Sequence, residues 1–238
     1  MIKRIAKKVV KFFDERLGTN LYEKAVKINN VFCNSAFLGR IQRAICFAAV
    51  RWKYRIGIED KNPLSLHLGC GNRHLEGYIN IDCRKTAATD LVCNIRKLPY
   101  RDNSTEMIEC YHVLEHIPVC LMANIDSRWG EKYSSLTVLL KEWKRVLKSS
   151  GKLIIEVPDF DKMVEEYVNA DEDRREELLV YIYGGYRFNN IHDLHRWGVN
   201  RDRLKYILEK ANFRNITFKE AQDYHKEFCP CLRVEVIK

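Results

Sequence analysis

The chain has 238 residues, of which 46% are apolar and 31% charged, so a full core is available and global disorder is excluded. That length fits one large domain or one domain with an appendage, since domains hold about 50–250 residues. The formal charge of +9 is uneven: residues 1–61 hold 14 of the 41 Lys/Arg and 5 of the 32 Asp/Glu, so the remainder is balanced.

The basic appendage, 1–61, comes first and a domain is expected over 62–238. Ile2, Ile5, Val9, Phe12 and Phe13 recur at helical spacing against Lys3, Lys7, Lys8 and Lys11. A basic amphipathic helix of this kind lies on anionic lipid, binds a partner or docks on its own domain. Peripheral membrane contact is expected through residues 1–20. A mitochondrial presequence is a further reading of the acid-free first thirteen residues, with no cleavage signal to support it. Arg51-Trp52-Lys53-Tyr54-Arg55 suits a strand with one aromatic face better than a nucleic-acid surface. No apolar run reaches the roughly 18–20 residues of a bilayer span. Lysines interrupt the first residues, so no export signal is expected. The nine cysteines, odd in number and without CxxC spacing, read as reduced thiols of a cytoplasmic protein.

Beyond Asn62-Pro63 short apolar runs alternate with helical patterns. Strands are expected at 64–68, 78–81, 90–93, 107–111 and 152–157, and again at 215–218 and 232–237. Helices are expected at 134–148, 161–169, 174–183 and 201–211, the last behind Asn200 as N-cap. The order predicts a Rossmann-like, doubly wound, mostly parallel α/β sheet with an antiparallel C-terminal edge pair. Such sheets bind ligands at the carboxyl ends of their strands.

The first strand ends in Gly69-Cys70-Gly71, where missing side chains let a ligand approach the backbone. The second ends in Asp82, placed to accept both ribose hydroxyls of an adenosine ligand. A dinucleotide site wants a third glycine and a full helix to hold pyrophosphate. Here His74 takes that glycine's place, and residues 69–77 leave room for one or two helical turns at most. The short crossover favours S-adenosylmethionine, which carries no phosphate.

Leu66-His67-Leu68-Gly69-Cys70-Gly71, Tyr78-Ile79-Asn80-Ile81-Asp82, Asn94-Ile95-Arg96-Lys97-Leu98-Pro99-Tyr100, His112-Val113-Leu114-Glu115-His116 and Leu140–Lys148 with Gly151-Lys152-Leu153 together resemble class I S-adenosylmethionine-dependent methyltransferases. The order is similar to the small-molecule branch linked with glycan and cell-surface biosynthesis. The resemblance spans about 64–213 and leaves out the basic N-terminus. It implies Gly69 and Gly71 against the methionine part, Asp82 on the ribose, and Asn94 with Ile95 beside the adenine. His67, Cys70, Cys83 and His112, at or beside the same strand ends, complete the expected cofactor set. Two positions depart from the pattern: His67 and Asn94 stand where the superfamily commonly has acids.

Methyl transfer from a sulfonium requires an aligned nucleophile, and a hydroxyl acceptor also benefits from a base. The aromatic, polar, glycine-hinged segment Tyr183–Gly198 suits an acceptor lid. Within it His195 or His192 is the expected base, with Asp159 after strand five as helper. His112-x-x-Glu115-His116 has the order of a zinc-peptidase motif but no evident third ligand, so no metal is expected. The expected activity is methylation, as an O-methyl, of a small-molecule or glycan acceptor, a lipid-linked sugar included; the oligomeric state stays open. Two competing readings are an RNA methyltransferase and a catalytically silent adenosine-binding scaffold. Nucleic acid is disfavoured because Cys110-Tyr111-His112 replaces the Asn/Asp-Pro-Pro-aromatic run of nucleobase amino methylation.

Overall fold

The computed structural model describes residues 64–117, 134–185 and 193–238. The expected basic helix and the Arg51–Arg55 stretch lie outside them. β1 (Ser65–Leu68), β2 (Ile79–Asp82), β3 (Leu91–Val92), β4 (Thr105–Tyr111) and β5 (Leu147–Pro158) run parallel. β6 (Arg214–Lys219) and β7 (Cys231–Ile237) pair antiparallel, β7 also against β5. The sheet order is β3-β2-β1-β4-β5-β7-β6, the expected mostly parallel sheet with an antiparallel edge pair.

The burial follows from that order. A parallel sheet is covered on both faces, so its central strands are apolar almost continuously rather than in alternation. Leu66, His67 and Leu68 of β1 and residues 153–158 of β5 are all buried. Of the helices α1 (Ser134–Val146), α2 (Phe160–Asn169), α3 (Glu172–Tyr183) and α4 (Arg201–Lys210), the first presents the clearest stripe. Its Leu136, Leu139, Leu140, Trp143 and Val146 are fully buried. Trp143 also donates its indole N–H to the Ile95 carbonyl, 3.0 Å away, which ties the loop after β3 to the core.

Caps set the helix limits. Asn200 accepts from Arg203 N–H at the start of α4, as expected. α3 begins two residues earlier than the apolar pattern suggests because Asp171 accepts from Arg174 N–H. α1 ends at Val146 rather than Lys148: the carbonyls of Arg145 and Val146 accept from Asn103 and Ser104, and Leu147 pairs with Thr105. No helix forms between β1 and β2; instead Gly69 and Cys70 both donate to the Ile81 carbonyl and fold the crossover tightly over β2.

Chain order reverses between β2-β1 and β4-β5. The switch point lies at the carboxyl ends of β1 and β4, where such sheets take ligands. Because β7 runs antiparallel to β5, with Cys231 opposite Pro158, the β6–β7 connection returns to this same end.

Candidate functional site

At the switch point a cleft of about 660 Å³ opens, within the range of small-molecule and cofactor sites. Its donor half is lined by His67, Gly69, Cys70, Gly71, Asp82, Cys83, Asn94 and Ile95, all from the expected set. The other half is lined by His112, Glu115, His116, Tyr181, His195, Tyr224 and His225.

Gly69 and Gly71 have φ of 72° and 52°, a region that side chains adopt at a cost of roughly 1–2 kcal/mol. At Gly69 a Cβ would overlap the Val113 side chain, so glycine is required for the close approach of the β1 turn to the segment after β4. At Gly71 nothing lies within 4 Å of a Cβ, which leaves the cleft side of the turn open. Asp82 is 6% exposed, one carboxylate oxygen accepting from Gly71 N–H at 2.9 Å and the other from Arg84 N–H at 2.8 Å. Each oxygen keeps a lone pair free. The turn is thus neither plugged nor stripped of its acid.

The remaining donor-half residues divide into supports and walls. His67, at the end of β1, places Nδ1 2.9 Å from Asn80 Oδ1, and burial holds its pKa below the ordinary value. A neutral imidazole therefore replaces the acid usual in this position. The Cys70 thiol lies against Thr89, and burial raises both it and Cys83, so neither is a thiolate. Asn94 is exposed and its side-chain carbonyl accepts from Arg96 N–H at 2.9 Å, an Asx turn that leaves one lone pair for a ligand.

His112 adopts φ of 53° directly after β4 and stacks on His225, ring centroids 3.9 Å apart. His225 Nδ1 is hydrogen-bonded to the buried carboxylate of Asp223, which also pairs with Arg73. The periodicity of the chain gave no sign of Asp223, Tyr224, His225 or Arg73; the antiparallel return of β7, which carries the β6–β7 connection to the strand ends, was the available signal.

His195 lies in the cleft wall as expected, its pKa lowered by burial. The segment around it is stitched to the short 3₁₀ turn Leu114–His116: Arg196 N–H donates to the Glu115 carbonyl at 2.7 Å and Trp197 Nε1–H to the Leu114 carbonyl at 2.8 Å. This end of the expected lid is a fixed wall. His192 lies outside the described residues. Asp159 is not brought to His195. It stands at the N-cap position of α2 without a side-chain cap bond, faces Lys162 at 4.0 Å and lines a separate depression with Arg201 and Phe218, away from the expected helper position. Donor atoms of Glu115 and His116 lie within 4.8 Å of a nitrogen of His195, which the fold brings in from a remote segment.

These residues fit S-adenosylmethionine: an open glycine turn for the amino-acid part, a buried strand-end carboxylate for a diol, and no helix N-terminus for pyrophosphate. Comparison with known proteins agrees. Residues 66–155 match the family described as "Methyltransferase domain". An uncharacterised protein of Methanocaldococcus jannaschii is 30% identical over 124 residues, 47% of this chain and 48% of that one, so the match spans about half of that relative. Solved structures with similar folds include an S-adenosylmethionine-dependent methyltransferase of Archaeoglobus fulgidus (14% identity, 81% of this chain and 94% of that one, TM-score 0.43). Another is that of a methyltransferase of Methanosarcina mazei (14%, 75% and 92%, 0.45). At those scores the fold assignment rests on the strand order itself. The strand order is that of a Rossmann-like methyltransferase fold, and residues 66–155 match a methyltransferase domain, which indicates S-adenosylmethionine as the cofactor.

Proposed function

We propose that the whole chain methylates a hydroxyl group of a small-molecule or glycan acceptor. The observation that carries this reading is the two-part cleft: a cofactor cradle at Gly69–Gly71 and Asp82 continues into a wall of imidazoles and tyrosines. Aromatic rings with polar tips hold sugars and similar polyols by stacking and hydrogen bonding. Arg73, Arg84, Arg96 and Arg196 line the same cleft and suit an acceptor that also carries an anionic group, as a lipid-linked sugar phosphate does.

Bound S-adenosylmethionine supplies a methyl group already activated on a sulfonium. The turn and Asp82 hold it, and the acceptor wall holds the nucleophile in line. Asp223 fixes Nδ1 of His225, which leaves Nε2 free to take the acceptor's proton. Burial lowers the His225 pKa, so the ring is neutral and able to accept near pH 7. Calorimetry with S-adenosylmethionine, followed by transfer of its labelled methyl to hydroxyl-bearing sugars, tests the reading. The expected result is binding at one site and alkali-stable labelling. Absence of cofactor binding would favour the silent scaffold, and RNA binding that weakens steeply with salt would favour the RNA enzyme.

The reading extends to the N-terminus, for which we propose contact with an anionic membrane surface. Among the described residues no helix is long and apolar enough to cross a membrane. Full-length protein should sediment with phosphatidylserine vesicles, each surface lysine adding about 1 kcal/mol. Replacing Lys3, Lys7, Lys8 and Lys11 with Glu should release it; equal sedimentation of both proteins would refute the proposal.

A further inference from the structure

Glu115 sits in the 3₁₀ turn after β4, 1% exposed. Among the described residues neither of its carboxylate oxygens has a hydrogen-bond partner. The nearest donor, His112 Nδ1, stands 3.3 Å from Oε1 without the alignment of a hydrogen bond. An ionised carboxylate held in this way is unfavourable by several kcal/mol unless a cation answers it.

The groups facing it are metal donors. One nitrogen each of His116 and His195 joins the Glu115 carboxylate in a set of atoms within 4.8 Å of one another. His116 Nδ1 lies 3.1 Å from the Leu194 carbonyl, which leaves Nε2 of that ring for a ligand. Carbonyl partners of this kind fix the tautomer and turn the other nitrogen's lone pair outward, as they do for metal-ligating histidines. The stitching of Arg196 and Trp197 to the 3₁₀ turn holds the two ligand-bearing segments together, although they are remote in sequence.

We propose that Glu115, His116 and His195 bind a divalent transition-metal cation of the zinc class, with an open coordination position facing the cleft. Two imidazoles and one carboxylate are a known three-ligand set for zinc sites that keep a place for water or substrate, with bonds of about 2.0–2.2 Å. Magnesium and calcium prefer all-oxygen sets, which this cluster does not offer. Donors about 2.1 Å from one tetrahedral ion stand about 3.4 Å apart, so these atoms, within 4.8 Å of one another, would close by at most about 1.4 Å. His195 then binds metal rather than a proton, which agrees with His225 as the base. An oxygen bound at the open position would be polarised for attack. This use of the site rests on the methyltransferase reading and narrows the acceptor to a hydroxyl compound; the binding of the ion does not depend on it.

The test uses the full chain purified without a polyhistidine tag, freed of metal and then loaded with Zn²⁺ or Co²⁺. Elemental analysis should find one Zn²⁺ per chain, and Co²⁺ should give the intense visible absorption of a low-coordinate site. Glu115→Gln and, separately, His195→Gln should each lower Zn²⁺ affinity at least about 10-fold. Circular dichroism and S-adenosylmethionine calorimetry on the same samples report whether the fold and the donor half are intact. Absence of Zn²⁺ and of the Co²⁺ band in protein that still binds S-adenosylmethionine overturns the proposal. So does undiminished metal in both variants, which would place the ion at His112, Asp223 and His225 instead. Metal binding without cofactor binding would sustain the site and remove only the methyltransferase reading.

Discussion

Asp82→Asn is expected to weaken S-adenosylmethionine binding by about 100-fold in calorimetry. A hydrogen bond to a charged group contributes about 1.5–3 kcal/mol, and a ribose diol makes two with a strand-end carboxylate. The amide keeps one oxygen and gives up one acceptor and the charge. Its effect extends past the ligand, because both carboxylate oxygens already accept main-chain N–H groups, from Gly71 and from Arg84. Whichever way the amide turns, an NH₂ meets one of those donors, so the bend proposed to receive the methionine part is disturbed along with the proposed ribose contact. Carboxylate burial makes the loss greater than it would be on an exposed loop, since Asp82 is 6% exposed and water cannot substitute for the missing acceptor. Retention of affinity to within about threefold would show that the cofactor does not sit on this carboxylate.

The donor half was legible because it follows from rules local in sequence. An apolar run that stops at Gly69, and another that stops at Asp82, mark the carboxyl ends of two parallel strands, and the sheet order then places them side by side. The short crossover was legible for the same reason, as too few residues stand between the strands for a full helix. Asp159 shows where such reasoning stops. A strand end identifies the end of the sheet but not the face, and successive side chains point opposite ways. Pro158 lines the cleft while Asp159, one residue on, lines another depression. The acceptor wall was illegible for a different reason: Glu115, His195 and His225 come from three remote segments, joined by main-chain hydrogen bonds to the 3₁₀ turn and by the antiparallel return of β7. Neither link leaves a periodic trace. The His112-x-x-Glu115-His116 spacing displayed two members of the proposed cluster, and only the fold brings His195 to them.

Arg233→Met is expected to destabilise the domain by about 3–5 kcal/mol, the range for removing one partner of a buried ion pair. Arg233 is 4% exposed and faces Glu156, 0% exposed, across the β5–β7 register, with Nη1 2.5 Å from Oε1. Its Nε and Nη2 also hold Glu235 Oε1, at 3.0 and 2.8 Å. Without the guanidinium, Glu156 keeps only the N–H groups of Gln222 and Asp223, which are too few to answer a buried charge. Glu156→Gln should be milder, about 1–3 kcal/mol, because Arg233 retains Glu235 and the amide oxygen still accepts one main-chain donor. The double variant should recover part of the Arg233→Met loss, since it leaves no uncompensated carboxylate; urea titration of the three proteins measures that coupling. The functional consequence is local. Gln222 and Asp223 open the turn that carries His225, so the pair fixes the position of the proposed base as well as the sheet edge. Glu156→Gln, if folded, should therefore lower turnover while leaving cofactor affinity within about twofold, because Asp82 and the glycine turn are held by other bonds. Equal stability of Arg233→Met and the parent would mean that water or another cation reaches Glu156, and the turn bearing His225 would then need a different anchor.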